Sequence, residues 1–148
     1  MFEIDFANRQ SKHPVNESRL LAAARLILQE AGLREASVSL AVVDDPTMHE
    51  LNRRYLQHDY STDVLSFVLD SGSGRLDGEV IVSADTAAAA STQYGWTVAD
   101  ELLLYVIHGT LHLVGYDDQT PADQAAMRDR ERLYLARFQL TPRYEEEV

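Results

Sequence analysis

Residues 108–118, HGTLHLVGYDD, place His108 and His112 four positions apart, with Gly115 three residues later and Asp117 and Asp118 just beyond. Side chains four apart share one face of a helix, one turn from each other. Both imidazoles therefore point to the same side, at a span that one divalent ion can bridge. Gly115 can adopt the left-handed conformation that ends a helix, and a chain turning there brings a carboxylate back towards the histidines. Asp117 and Asp118 both come within range. Two histidines and one carboxylate, with positions left open for water, form a catalytic arrangement used for zinc and for iron. In peptidases of the HExxH type a glutamate follows the first histidine and acts as base. Gly109 stands there instead, which disfavours a thermolysin-like peptidase. His13, His49 and His58 lack comparable surroundings and read as surface or loop residues.

The elements that must position this pair are legible in outline. Phe2, Ile4 and Phe6 alternate with polar residues, as in a strand. Asn16 opens an amphipathic helix that Gly32 stops, and ASVSLAVVDD reads as a second strand. Asp45-Pro46 offers an N-cap and a first-turn proline for a short helix to about Tyr55. DVLSFVLD and GEVIVSA are two further strands, separated by SGSGRLDG, whose three glycines suit a turn or a mobile loop. An alanine-rich helix runs from Asp85 to Tyr94 and ends at Gly95. Thr97 with Asp100 resembles a capping box launching ADELLLYVIHGTLHLVG. Along that helix Glu101, Leu104 and Tyr105 share the histidine face, and Leu103, Val106, Ile107, Thr110 and Leu113 occupy the opposite, buried one. Thr120-Pro121 with Asp123 starts a last helix to about Phe138. Four strands and about five helices in this order predict an α+β domain with a mixed sheet.

The chain of 148 residues fits a single domain, 1–148, able to bury a sizeable core. It contains no cysteine, so disulfide partners and thiolate metal sites are excluded, and any metal is held by nitrogen and oxygen. No apolar run reaches the length of a membrane span, and MFEIDFANRQ does not read as a signal peptide, which together predict a cytoplasmic protein without membrane attachment. A formal net charge of −11 opposes long-range encounter with nucleic acid. It leaves room for a local basic patch or for a partner that delivers the substrate. Arg128, Arg130, Arg132 and Arg137, interleaved with Asp123, Asp129 and Glu131, read as a solvated helix face. Tyr94 and Trp96 flank a glycine between two helices and read as core packing.

HGTLHLVGYD resembles the signature of the YbeY family of single-domain metalloproteins. LNRRY at 51–55, STDVLSF at 61–67, GEVIVS at 78–83 and the Glu101-Leu102 pair are similar to the family's other marked segments, in the same order. Met127 falls where the family tends to place a methionine. The resemblance covers most of the chain from about residue 40 onward. It implies a small mixed sheet with helices beside it, a zincin-like metal helix, and one zinc ion bound by His108, His112 and the residue at position 118.

Two departures stand out. The family pattern ends in histidine where this chain has Asp118, so the implied ligand set becomes His108, His112 and Asp118. A carboxylate is a competent zinc ligand, but its charge weakens the metal as a Lewis acid and moves preference towards manganese or iron. Asp117 matches the family's own aspartate beside the ligand and reads as a loop-shaping hydrogen-bond acceptor. After LNRRY the family usually carries an arginine that contacts RNA phosphate; here Leu56 occupies the position. Arg53 and Arg54 are the substitutes the sequence offers, Arg54 the one carried forward as a site residue, and Thr62 and Asp63 are expected to wall the substrate cleft.

By resemblance the chain is expected to be a metal-dependent endoribonuclease acting on single-stranded RNA. Its implied work is 16S rRNA 3′-end maturation and ribosome quality control, with ribosomal RNA and the small ribosomal subunit as partners. No general base is evident from the sequence. A metal-binding ribosome-assembly factor with little or no catalysis is the alternative, supported by Leu56, Asp118 and the acidic balance. A non-haem iron oxygenase shares the two-histidine, one-carboxylate set, and oxygen consumption with a small acid cosubstrate would reveal it.

Overall fold

The structure, a computed structural model, describes residues 2–56 and 63–141. Thr62, His58 and the acidic run Glu145–Glu147 lie outside the described residues. The elements follow the order β1 (Phe2–Asn8), α1 (Glu17–Glu30), β2 (Glu35–Val43), α2 (Asp45–Leu56), β3 (Val64–Gly72), β4 (Arg75–Ser83), α3 (Ala84–Tyr94), α4 (Val98–Leu113) and α5 (Pro121–Ala136). They form the expected α+β arrangement around one four-stranded sheet of order β1-β2-β4-β3. β1, β2 and β4 run parallel, and β3 pairs antiparallel with β4 at the edge.

Alternation along the strands divides the core between the two sheet faces. Val38, Leu40 and Val42 of β2 and Val80 and Val82 of β4 meet α1 and α4 in the main core. Val43, Leu65 and Ile81 project the other way and bury Met48 of α2. The glycine-rich stretch between β3 and β4 is shorter as a loop than the sequence suggests. Both strands continue into it, and only Ser73 and Gly74 remain at the tip, with φ of 55° and 77°. Positive φ at both central residues matches the twist of a two-residue hairpin, so of the turn and the mobile loop that the glycines suit, the structure has the turn.

The cap of α2 also sits one residue earlier than expected. Asp44 Oδ1 accepts the Thr47 N–H at 2.9 Å. Asp45 instead accepts hydroxyl hydrogen bonds from Ser83 at 2.5 Å and Thr86 at 2.7 Å, tying α2 to the start of α3.

α4 is the central element, packed against α1, α3, α5, β3 and β4. Thr97 caps it in a reciprocal capping box with Asp100. The expected division into a histidine face and a buried face does not hold. From Glu101 to Leu113 every residue is buried except His108 and His112. Helices on three sides and the sheet on the fourth leave only the two imidazole positions open. The approach of the sheet is close enough to dictate Gly109. A Cβ there would lie 2.6 Å from Val80 Cγ1 and 3.0 Å from Val64 Cγ2 and Ser66 Oγ. Ser66 Oγ donates to the Gly109 carbonyl at 3.0 Å, fixing helix to edge strand.

Candidate metal centre

His108 and His112 leave α4 side by side, with ring centroids 4.7 Å apart and planes inclined by 77°. Beyond Leu113 the helix ends in a Schellman motif. The Gly115 N–H bonds the His112 carbonyl at 3.1 Å and the Tyr116 N–H bonds the Leu111 carbonyl at 3.0 Å. Gly115 has φ of 110°, a conformation that an L side chain resists. The reversal brings Asp118 back over the last turn of α4. Asp117 Oδ1 accepts the Asp118 N–H at 2.8 Å, and Gln124 Nε2 donates to the Asp118 carbonyl at 3.1 Å.

The three side chains converge. The two Nε2 atoms are 3.1 Å apart, and each lies 3.5 Å from Asp118 Oδ2. A point in their plane equidistant from all three is about 2 Å from each, close to the roughly 2.0–2.2 Å of zinc–nitrogen and zinc–oxygen bonds. Two neutral imidazole nitrogens and one carboxylate oxygen suit a borderline divalent ion. The residues present therefore fit a metal, and they form one group of three able to hold it.

Sequence reasoning missed the residue that orients this group. Glu131 of α5 is 4% exposed, and its Oε2 lies 2.6 Å from His108 Nδ1. With the Nδ1–H donated to the carboxylate, the Nε2 lone pair is directed at the metal position, the usual carboxylate–histidine–metal relay. Burial works against a charged His108, but the hydrogen bond and charge of Glu131, then Asp118 and Asp63, outweigh it and raise its pKa. Glu131 does not belong to a solvated face. It lies on the same stripe as Met127, Tyr134 and Leu135, all buried. An acid at an apolar-stripe position, flanked by arginines that disguised it, was the available signal. Only some of those arginines are solvated pairs: Arg132 bonds exposed Asp129, while Arg130 lies over the Tyr116 and Tyr134 rings.

Two clefts meet at the group. One, of about 510 Å³, runs between α3, α4 and α5 and is lined by Asp63, Gln93, Tyr94, Glu101, Tyr105, Arg128 and Glu131 among others. The second, of about 520 Å³, follows the edge strand from Asp63 to Val68 past His112 and Leu113. Both include His108, Asp118, Asp63 and Val64.

Glu101 Oε1 accepts the Trp96 indole N–H at 2.5 Å, so Trp96 packs at the core's margin while its polar edge holds a buried acid. Burial raises the Glu101 carboxyl against its hydrogen bonds from Trp96 and Tyr105, and the nearby Asp63 charge adds to the rise. Tyr105 is pushed up for the same reason, burial first and the Glu101 and Asp63 charges after it. Arg54 stands apart from both clefts. It is exposed on α2, 3.3 Å from Glu50 Oε2 and over the Tyr55 ring. His49 is exposed, whereas His13 is half-buried, with Nε2 3.2 Å from Asp85 Oδ1.

Fold and site together define a mixed-sheet α+β protein whose core helix presents a two-histidine, one-carboxylate group in the manner of a zincin. The chain belongs to the endoribonuclease YbeY family, whose profile matches residues 5–139. A Moorella thermoacetica endoribonuclease YbeY is 40% identical, over 90% of this chain and 96% of its own length. The Salinibacter ruber relative is 44% identical, over 74% of each chain. The Rhodopirellula baltica relative is 43% identical over 77% of this chain, which spans 60% of that relative's length. A Thermotoga maritima protein of known solution structure shares the fold, with a TM-score of 0.59, 24% identity and coverage of 99% of this chain and 97% of that one. No helix among the described residues is long and apolar enough to cross a membrane.

Proposed function

We propose that this chain, as a single domain, is a metal-dependent endoribonuclease that cuts single-stranded segments of ribosomal RNA. Its work would be 16S rRNA 3′-end maturation and ribosome quality control in the cytoplasm, at the small ribosomal subunit. The observation that carries this reading is the triangle of His108, His112 and Asp118 at the junction of two open clefts, in a chain of the endoribonuclease YbeY family. Zinc is the proposed ion, with manganese or iron as alternatives favoured by the carboxylate. Such an ion supplies Lewis-acid polarisation of a phosphoryl oxygen and acidification of water. Glu131 holds His108 in the tautomer that ligates. Asp118 contributes the charge that distinguishes this site from one with three imidazoles. Asp63 stands where both clefts open and would wall the path of the RNA strand, with Thr62 beside it in sequence. Arg54 would meet the strand further out along α2.

One observation favours a second reading. Asp63, Glu101, Asp118 and Glu131 make the cleft between α3, α4 and α5 strongly acidic, and a ribosome-assembly factor that binds metal without cutting RNA would tolerate this. Cleavage of a structured RNA with a single-stranded tail, with zinc and manganese supplied separately, separates the two. Metal-dependent cutting in the tail that vanishes in His112→Ala supports the nuclease. A protein that holds its metal and leaves the RNA intact would be the assembly factor. Equal cutting by wild type and His112→Ala would identify a contaminant as the source.

A further inference from the structure

An acidic cleft poses a physical problem for a substrate that carries one negative charge per nucleotide. Four carboxylate side chains, Asp63, Glu101, Asp118 and Glu131, border the cleft that holds the metal group. Among the described residues lining the two clefts, one carries a permanent positive charge, and it is Arg128.

The geometry of α5 places Arg128 beside the metal ligands. Residues three and four apart stack on one helix face, so Gln124, Arg128 and Glu131 form a row. Gln124, at one end, donates to the Asp118 carbonyl at 3.1 Å. Glu131, at the other, meets His108 Nδ1 at 2.6 Å. Arg128 stands between two residues that each touch a proposed ligand. Met127, 1% exposed, anchors the same turn in the core and fixes the direction in which Arg128 leaves the helix.

We propose that Arg128 is the phosphate-binding residue of this site, its guanidinium contacting the RNA backbone beside the His108–His112–Asp118 group. The assignment rests on the endoribonuclease reading for its substrate. A planar fork of N–H donors matches two phosphoryl oxygens at once, as a lysine ammonium cannot. The one cation among the described residues lining the two clefts thus comes from α5, between the residues that touch Asp118 and His108.

The test separates binding from cutting. Metal-loaded wild type, Arg128→Ala and Arg128→Lys, matched for metal content and thermal stability, are titrated with a labelled 2′-O-methyl single-stranded oligoribonucleotide, which resists cleavage through its 2′ position, across a salt series. Arg128→Ala is expected to bind about tenfold more weakly, with the slope of log K against log salt reduced by about 0.7, one phosphate contact on a single strand. Arg128→Lys is expected to keep the slope and recover part of the affinity. An unchanged slope and affinity in Arg128→Ala would overturn the proposal, as would a wild type that binds no RNA. Unmodified RNA is then incubated with the same proteins. A wild type that binds with the Arg128-dependent slope but never cuts would sink the nuclease reading and leave the phosphate contact standing. A wild type that cuts, alongside an equally active Arg128→Ala, would sink the Arg128 assignment alone.

Discussion

Removing the Glu131 carboxylate is the sharpest probe of how the site is held. In Glu131→Ala, His108 Nδ1 loses an acceptor at 2.6 Å in a position where the acid is 4% exposed. A buried hydrogen bond to a charged group contributes about 1.5–3 kcal/mol, roughly ten- to a hundredfold in a dissociation constant. Loss of outer-shell partners of metal-bound histidines weakens metal binding by a similar 10–100-fold, so the two scales agree. Glu131→Gln keeps a carbonyl oxygen able to accept the Nδ1–H and loses only the charge, so its loss is about tenfold at most. Zinc affinity is read at neutral pH by competition with a chromophoric chelator, and thermal unfolding of the metal-free proteins checks that the fold persists. The reasoning fails if Glu131→Ala binds zinc as tightly as wild type, or if the glutamine variant binds less tightly than the alanine variant.

Gly109→Ala pushes a methyl group into Val80, Val64 and Ser66 at 2.6–3.0 Å. It should destabilise the protein by about 1–3 kcal/mol in urea unfolding, and an unchanged midpoint would mean that sheet and helix part easily. Because burial raises the Glu101 carboxyl above its ordinary 4.5, its contribution to stability is full below that value and is lost as pH rises through the folded pKa. Glu101→Gln cannot ionise, so its melting temperature should gain on wild type from about pH 4.5 towards neutrality; parallel curves would contradict this. Asp118→His exchanges an anion for a third imidazole, which should tighten zinc and move half-maximal RNA cleavage to lower pH. A profile that stays in place would remove Asp118 from the metal.

Much of the architecture was legible because its signals are local. The Thr97 and Thr120 caps, the Gly95 and Gly115 stops and the alternation in β2 and β4 each act over a few residues. So does the His108–His112 spacing, which depends only on helical pitch. What escaped depends on contacts between distant segments. Glu131 and His108 are 23 positions apart, and no spacing rule connects α5 to α4. The wrapping of α4 escaped for a related reason: Glu101 and Tyr105 look like a polar edge until α3 and α5 are seen to cover them. Three glycines between β3 and β4 suit a turn and a mobile loop equally, and only the pairing of the two strands up to Gly72 and Arg75 decides for the turn.

The site is built in two halves of different character. His108 and His112 are rooted in the most buried helix of the fold, next to a glycine that tolerates no side chain. Asp118 hangs from a loop, its side chain 43% exposed. The histidine positions are fixed by the packing of that helix, whereas position 118 lies outside it. On the proposed ligand set, the chemistry at that single loop position can therefore change, and with it the preferred ion, while the core that presents the imidazoles stays as it is.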